Sequence, residues 1–199
     1  MRKSFAEAFM TGPQNTNREN IKQTPEAMRS LDDLFSLIYE ELRRLAAFAR
    51  RNEAHSTINS TALVHEAWLK LKDSPELASK SQAEFKAIAG KVMRQVLVDE
   101  ARRRTALKRG GAAEIQVITE AEAEQPVTAC NEELLTLHNC LDELADLNPR
   151  QAQVVEQRFF GGLSVEEIAD LLGVSESAIE RDWRSAKAWL ASRIRPERK

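Results

Sequence analysis

One glycine between two helix-like stretches limits what this chain can become more than any other feature. Ser164-Val165-Glu166-Glu167 reads as a capping box, in which the Ser caps the first turn and the Glu reaches back. Ile168, Ala169, Leu171 and Leu172 follow as the apolar face of a short helix. Gly173 ends it, since a left-handed turn is free of steric cost for glycine. Ser175 then caps a longer helix with Ala178, Ile179, Trp183, Ala186 and Leu190 pointing inward. A small residue at Ala169 permits close helix approach, and Ile179 plugs the joint. This is the pattern of a helix-turn-helix, whose second helix enters the DNA major groove by its N-terminal residues. The predicted groove-facing residues are Glu176, Ser177, Glu180, Arg181 and Arg184, with Lys187 and Arg193 further along toward phosphates or solvent. An ordinary helical hairpin is the bland alternative, and the Ala169, Gly173, Ile179 spacing argues against it.

The rest of the chain supports an all-α fold. Seven glycines and six prolines among 199 residues leave room for long helices. From Ser30, a capping residue followed by Asp32 and Asp33, apolar residues recur at Leu31, Leu34, Phe35, Ile38, Leu42, Leu45 and Ala49, in helical steps. A polar stretch, Asn52 to Ser60, interrupts the pattern. A second helix carries Leu63, Val64, Ala67, Trp68 and Leu71 and stops near Pro75. Ser81-Gln82-Ala83-Glu84 is another capping box. The helix it opens buries Phe85, Ile88, Ala89, Val92 and Val96 and runs to about Arg104. Residues 1–29 read as a flexible arm and residues 112–129 as an acidic linker. Beyond the linker come a helix with Leu134, Leu137, Leu141 and Leu144, and another begun by Asn148-Pro149 with Ala152, Val155 and Phe159 inward. The expected organisation is two small helical domains, residues 30–111 and 130–199, joined by that linker.

Charge is segregated although the net charge is only −2. Lys91 to Arg109 holds seven basic residues against two acidic ones, Gly110 to Pro149 holds nine acidic residues and no Lys or Arg, and Glu176 to Lys199 is net +3. Two basic blocks suit two surfaces that meet a polyanion, although solvated helix faces would give the same blocks. No apolar run is long enough for a bilayer, and the N-terminus lacks the core of a secretory signal, so a cytoplasmic location and no membrane insertion are expected. Cys130 and Cys140 read as free thiols. With His138 they fall short of a zinc set, so neither metal nor cofactor is expected. His65-Glu66 begins a zinc-hydrolase motif, but residue 69 is Leu, and no phosphate loop or nucleophile elbow occurs, so the chain does not read as an enzyme.

The stretch LNPRQAQVVEQRFFGGLSVEEIADLLGVSESAIERDWRSAKAWL, Leu147 to Leu190, resembles region 4 of bacterial sigma factors, and Leu34 to Arg109 resembles region 2. TALVHEAWLKL resembles the helix that docks on the RNA polymerase clamp, and AEFKAIAGKVMRQVLVDEARRR the helix that reads the −10 promoter element. Without room for further domains, the likeness is to the extracytoplasmic-function group. Thr61 and Ala62 stand where the family has acids, His65-Glu66 where it has Gln-Glu, Arg94 where Asn is common, and Glu180 at a position that is often basic.

The resemblance implies a transcription initiation factor whose partners are core RNA polymerase and promoter DNA, with an anti-sigma factor as a further candidate. His65, Glu66, Trp68 and Leu69 would meet polymerase. Lys80, Lys91, Arg94, Arg102, Arg103 and Arg104 would serve the −10 strand, with a flipped base held at the loop 73–80. Glu176, Ser177, Glu180, Arg181, Arg184 and Lys187 would serve the −35 duplex. Glu120, Glu122 and Glu124 of the linker would mimic nucleic acid on the RNA path. A stand-alone helix-turn-helix regulator would account equally well for Gly161 to Arg193, but not for the Trp68 helix or the basic Phe85–Arg104 helix.

Overall fold

The computed structural model describes residues 30–49, 57–108 and 126–194. The expected arm 1–29, the Gly110-Gly111 boundary and the linker carboxylates Glu120, Glu122 and Glu124 lie outside them. The described residues are all helical, with no strand among them.

Helix α1 (Leu31–Ala49) opens where Ser30 Oγ accepts from the Asp33 N–H at 3.2 Å and the Asp33 carboxylate accepts from the Ser30 N–H at 3.1 Å. This reciprocal pair satisfies two donors that would otherwise lack partners at a helix start. Leu34, Ile38, Leu42 and Ala46, four residues apart, form its buried stripe. Helix α2 (Thr57–Leu71) lays Leu63, Val64, Ala67 and Leu71 against it. A short 3-10 helix, Pro75–Ser79, follows, pinned to the core by Leu77, so the expected loop is an ordered turn.

Helix α3 (Gln82–Lys108) is the spine of the molecule. Its capping box forms as the sequence predicts: Ser81 Oγ accepts from the Glu84 N–H at 3.2 Å, and the Glu84 carboxylate from the Ser81 N–H at 2.8 Å. Those bonds hold the Glu84 carboxyl below its usual value. One long side of α3 buries Phe85, Ala89, Met93 and Val96. The expected face differs in detail, because Ile88 and Val92 are only half-buried and Lys86, Gly90, Leu97 and Val98 are buried as well. The reason is that α3 packs on both sides, against α1 and α2 and against the C-terminal helices.

Those helices are α4 (Pro126–Leu147), α5 (Pro149–Phe159), α6 (Val165–Leu172) and α7 (Glu176–Ile194). Helix α4 starts at Pro126, inside the stretch 112–129 read as linker, because a proline at the first helical position costs no hydrogen bond. Asn148 caps α5 by accepting from the Gln151 N–H. Leu134, Leu137, Leu141 and Leu144 of α4 and Val154, Val155 and Phe159 of α5 join Ile168, Ile179 and Leu190 in one continuous core with the first three helices.

Candidate nucleic-acid interface

The segment Ser164–Ile194 folds as its local chemistry dictates. Ser164 Oγ accepts from the Glu167 N–H at 3.0 Å and the Glu167 carboxylate accepts from the Ser164 N–H at 2.7 Å, which starts α6. Gly173 ends it at φ 64°, in the left-handed region. The Val174 N–H then donates to the Ala169 carbonyl, turning the chain into α7. The Ser175 hydroxyl, expected to cap α7, instead meets the Ser177 hydroxyl at 3.1 Å.

Helix α7 divides cleanly by face. Ala178, Ile179, Asp182, Trp183, Ala186 and Leu190 are buried. Glu176, Ser177, Glu180, Arg181 and Arg184 are all exposed, on the first two and a half turns. Arg184 Nε donates to the Glu180 carbonyl at 3.3 Å. Two of the helix's own charges were not legible in sequence. Asp182 is only 7% exposed and accepts from Arg150 Nε at 2.6 Å. Lys187 lies over the Trp183 ring at 5.4 Å, and Arg158 of α5 covers the same indole at 4.9 Å. Burial lowers the Arg158 guanidinium from the usual arginine value, with Glu180 opposing. This second cation beside the exposed face had no sequence signal, since its position depends on how α5 crosses α7.

The second basic set lies on and before α3, and the structure does not treat its members alike. Lys91, Arg102 and Arg103 are exposed. Arg103 and Arg104 both bond Glu100, at 2.9 and 2.6 Å. Burial would raise the Glu100 carboxyl, but those hydrogen bonds outweigh it and hold it below its usual value. Lys80 pairs with Glu84 at 3.4 Å. Arg94 is withdrawn from solvent. Its guanidinium bonds Glu156 Oε1 at 3.0 Å on α5, and Asp142 Oδ1 at 2.5 Å and His138 Nδ1 at 2.6 Å on α4. Burial, and then the Arg94 charge, hold His138 below the ordinary histidine value.

A third set lies on α2. His65, Glu66 and Leu69 are exposed, and Leu69 is 44% exposed despite being apolar. Trp68 is half-buried against Phe35 of α1, with ring centroids 4.7 Å apart, and Phe35 meets Tyr39 edge-on. Cys140 is buried, and burial pushes its thiol up. No group of metal-ligating side chains occurs among the described residues, and no helix there is long and apolar enough to cross a membrane.

The family model described as ECF sigma factor matches residues 21–196, nearly the whole chain. Neither the curated proteins nor the solved structures give a match.

Proposed function

The chain belongs to the ECF sigma factor family, and from that premise we propose that it joins core RNA polymerase and directs transcription from promoters whose −35 and −10 elements it reads itself. The observation that carries the DNA-reading part is the face of α7. Five polar or charged residues, Glu176, Ser177, Glu180, Arg181 and Arg184, stand exposed behind a glycine turn while the apolar residues among them, Ala178, Ile179 and Trp183, are buried. Such a helix needs no side chain of its DNA-facing surface for its own stability. Arg181 and Arg184 can offer paired donors to guanine, Ser177 and the two glutamates can accept from base amino groups, and Lys187 lies further along toward phosphate.

On this reading Lys91, Arg102 and Arg103 follow the phosphates of the −10 strand, and the 3-10 turn Pro75–Ser79 with Lys80 borders the place for an unstacked base. Arg104 adds charge from beside Glu100. His65, Glu66 and Leu69 present α2 to polymerase, with Trp68 packed behind them. Domains 30–111 and 130–199 serve as the two DNA-reading units, and an anti-sigma factor remains a candidate partner in this scheme.

Gel filtration of the purified chain with bacterial core RNA polymerase tests the proposal. Co-elution followed by promoter-dependent transcription is the expected result. A folded chain that binds duplex DNA and never polymerase would instead be a stand-alone helix-turn-helix regulator.

A further inference from the structure

The exposed face of α7 has two edges, and they carry different charges. Ser177, Arg181, Arg184 and Ala188 run down the middle of that face at steps of three and four. Glu180 and Lys187 lie along one edge, and Asp182 and Ser185 along the other. A helix seated in the major groove has a phosphate strand on each side. Lys187 gives the first edge a cation. On the second edge α7 itself offers only the Asp182 carboxylate, which would repel a phosphate there. That carboxylate is covered from outside the helix. Arg150, in the first turn of α5, donates to it through Nε at 2.6 Å and through one terminal nitrogen at 3.4 Å. Among the described residues no other acceptor takes the rest of the guanidinium fork.

The pair is lopsided: the Arg150 side chain is 50% exposed and the Asp182 side chain only 9%. An ion pair so open on one side adds little stability. On the other side, a buried carboxylate costs more to desolvate than an apolar residue of similar size. What the pair does achieve is to fix a guanidinium whose long side chain would otherwise be free to move. We propose that Arg150 anchors α7 to a duplex phosphate on its Asp182 edge, and that Asp182 is the positioning residue that holds Arg150 there. Arg150 and Lys187 then hold the two strands that bound the groove, while Arg181 and Arg184 face the bases between them. This role rests on α7 entering the major groove, a premise that a sigma factor and a stand-alone regulator share.

The probe is a fluorescein-labelled duplex that the full-length chain selects from a randomised pool, beside a scrambled duplex of the same length. Arg150→Ala should weaken binding to both by one factor, roughly tenfold for a single charge-assisted hydrogen bond. The slope of log affinity against log salt should fall by about 0.9, the share of one phosphate. Asp182→Asn separates positioning from simple charge. Removing a negative charge beside DNA tightens binding if Asp182 acts on the phosphates directly. If the carboxylate holds Arg150, binding weakens roughly threefold, because a neutral acceptor bonds about half as strongly. That weakening should vanish when Arg150→Ala is already present. Arg150→Ala leaves Asp182 buried without its partner, so helical circular dichroism is recorded for each variant. Should it unfold, the double variant Arg150→Ala with Asp182→Asn, which buries no lone charge, is compared with Asp182→Asn and should show the same loss of slope. An unchanged slope in a folded variant, with only thermal stability lowered, would overturn the anchor. Tighter binding by Asp182→Asn would overturn the positioning, and a loss confined to the selected duplex would make Arg150 a base reader and overturn the phosphate role. A wild-type chain that selects no duplex would overturn the reading of α7 and the anchor with it, whereas a loss in Arg184→Ala but not in Arg150→Ala would overturn the anchor alone.

Discussion

Arg184 Nε donates to the Glu180 carbonyl, and its side chain is exposed at the third turn of α7. If it reads a base, Arg184→Ala should weaken binding to the cognate −35 duplex by about 1–3 kcal/mol and relax specificity at one position. Fluorescence anisotropy against cognate and single-substituted duplexes measures this, and an equal loss on every sequence would mark a phosphate contact instead. That Arg184 is exposed was legible, because apolar residues at Ala178, Ile179, Trp183 and Ala186 fix which face turns inward. That Asp182, two residues before it, is buried was not legible. Its partner Arg150 is 32 residues away and comes near only through the packing of α5 on α7. The same blindness covered Arg94, which was expected to serve the −10 strand, whereas it pairs with Glu156, 62 residues onward. The burial of Lys86 against Glu167, 81 residues onward, had no sequence signal either. Exposure of a charged residue follows from helix period, while its burial in a pair depends on tertiary neighbours that the period does not encode.

Element boundaries are set by capping chemistry, which is local, and this is why most were readable. The boxes at Ser81 and Ser164 and the Asn148 cap form as their spacing requires. Where no such cap marks the end, the reading slipped: α2 starts at Thr57, inside the polar stretch read as a break, α3 runs to Lys108 rather than about Arg104, and α4 starts at Pro126, which reads equally well as a breaker in a linker or as the first residue of a helix. Gly173 gives the sharpest test at this scale. Nothing lies within 4 Å of a Cβ built on it, so a substitution there meets no steric neighbour and the whole cost is the backbone's at φ 64°. Gly173→Ala should therefore destabilise the chain by about 1–2 kcal/mol, and Gly173→Asn by less, since Asn tolerates the left-handed region. At about 2–4 °C per kcal/mol for a chain of this size, thermal melts resolve the difference. Equal losses for Ala and Asn would mean that φ is not the cause.

For the whole molecule, the sequence reads as two helical regions joined by an acidic, proline-bearing stretch, but the closure of α3 against α4 to α6, a clasp within one shared core, had no signal in it. That closure carries a pH dependence through His138. Arg94 donates to its Nδ1, which must then be the unprotonated nitrogen, leaving the proton on Nε2, 3.6 Å from Asp142. The charged groups around the ring are Arg94, Arg102 and Asp99 of α3, Asp142 of α4, and Glu156 of α5 through its bond to Arg94. Burial first and Arg94 second depress the histidine below its ordinary 6.5 in the closed form. On opening, the ring regains the ordinary value, so the open form takes up the proton first as pH falls. The clasp contributes its full stability above 6.5, and loses it progressively as pH drops from there toward the depressed value. Scattering at about pH 7.5 and about pH 5.5 should then show expansion at the lower pH, a range in which histidine titrates and ordinary carboxylates largely do not. His138→Gln keeps an acceptor for Arg94 but cannot be protonated, so it should remove most of that response. A response of undiminished size in His138→Gln would assign the pH dependence to another group. A chain that stays equally compact at both pH values would mean that protonating His138 is too weak to open the contact.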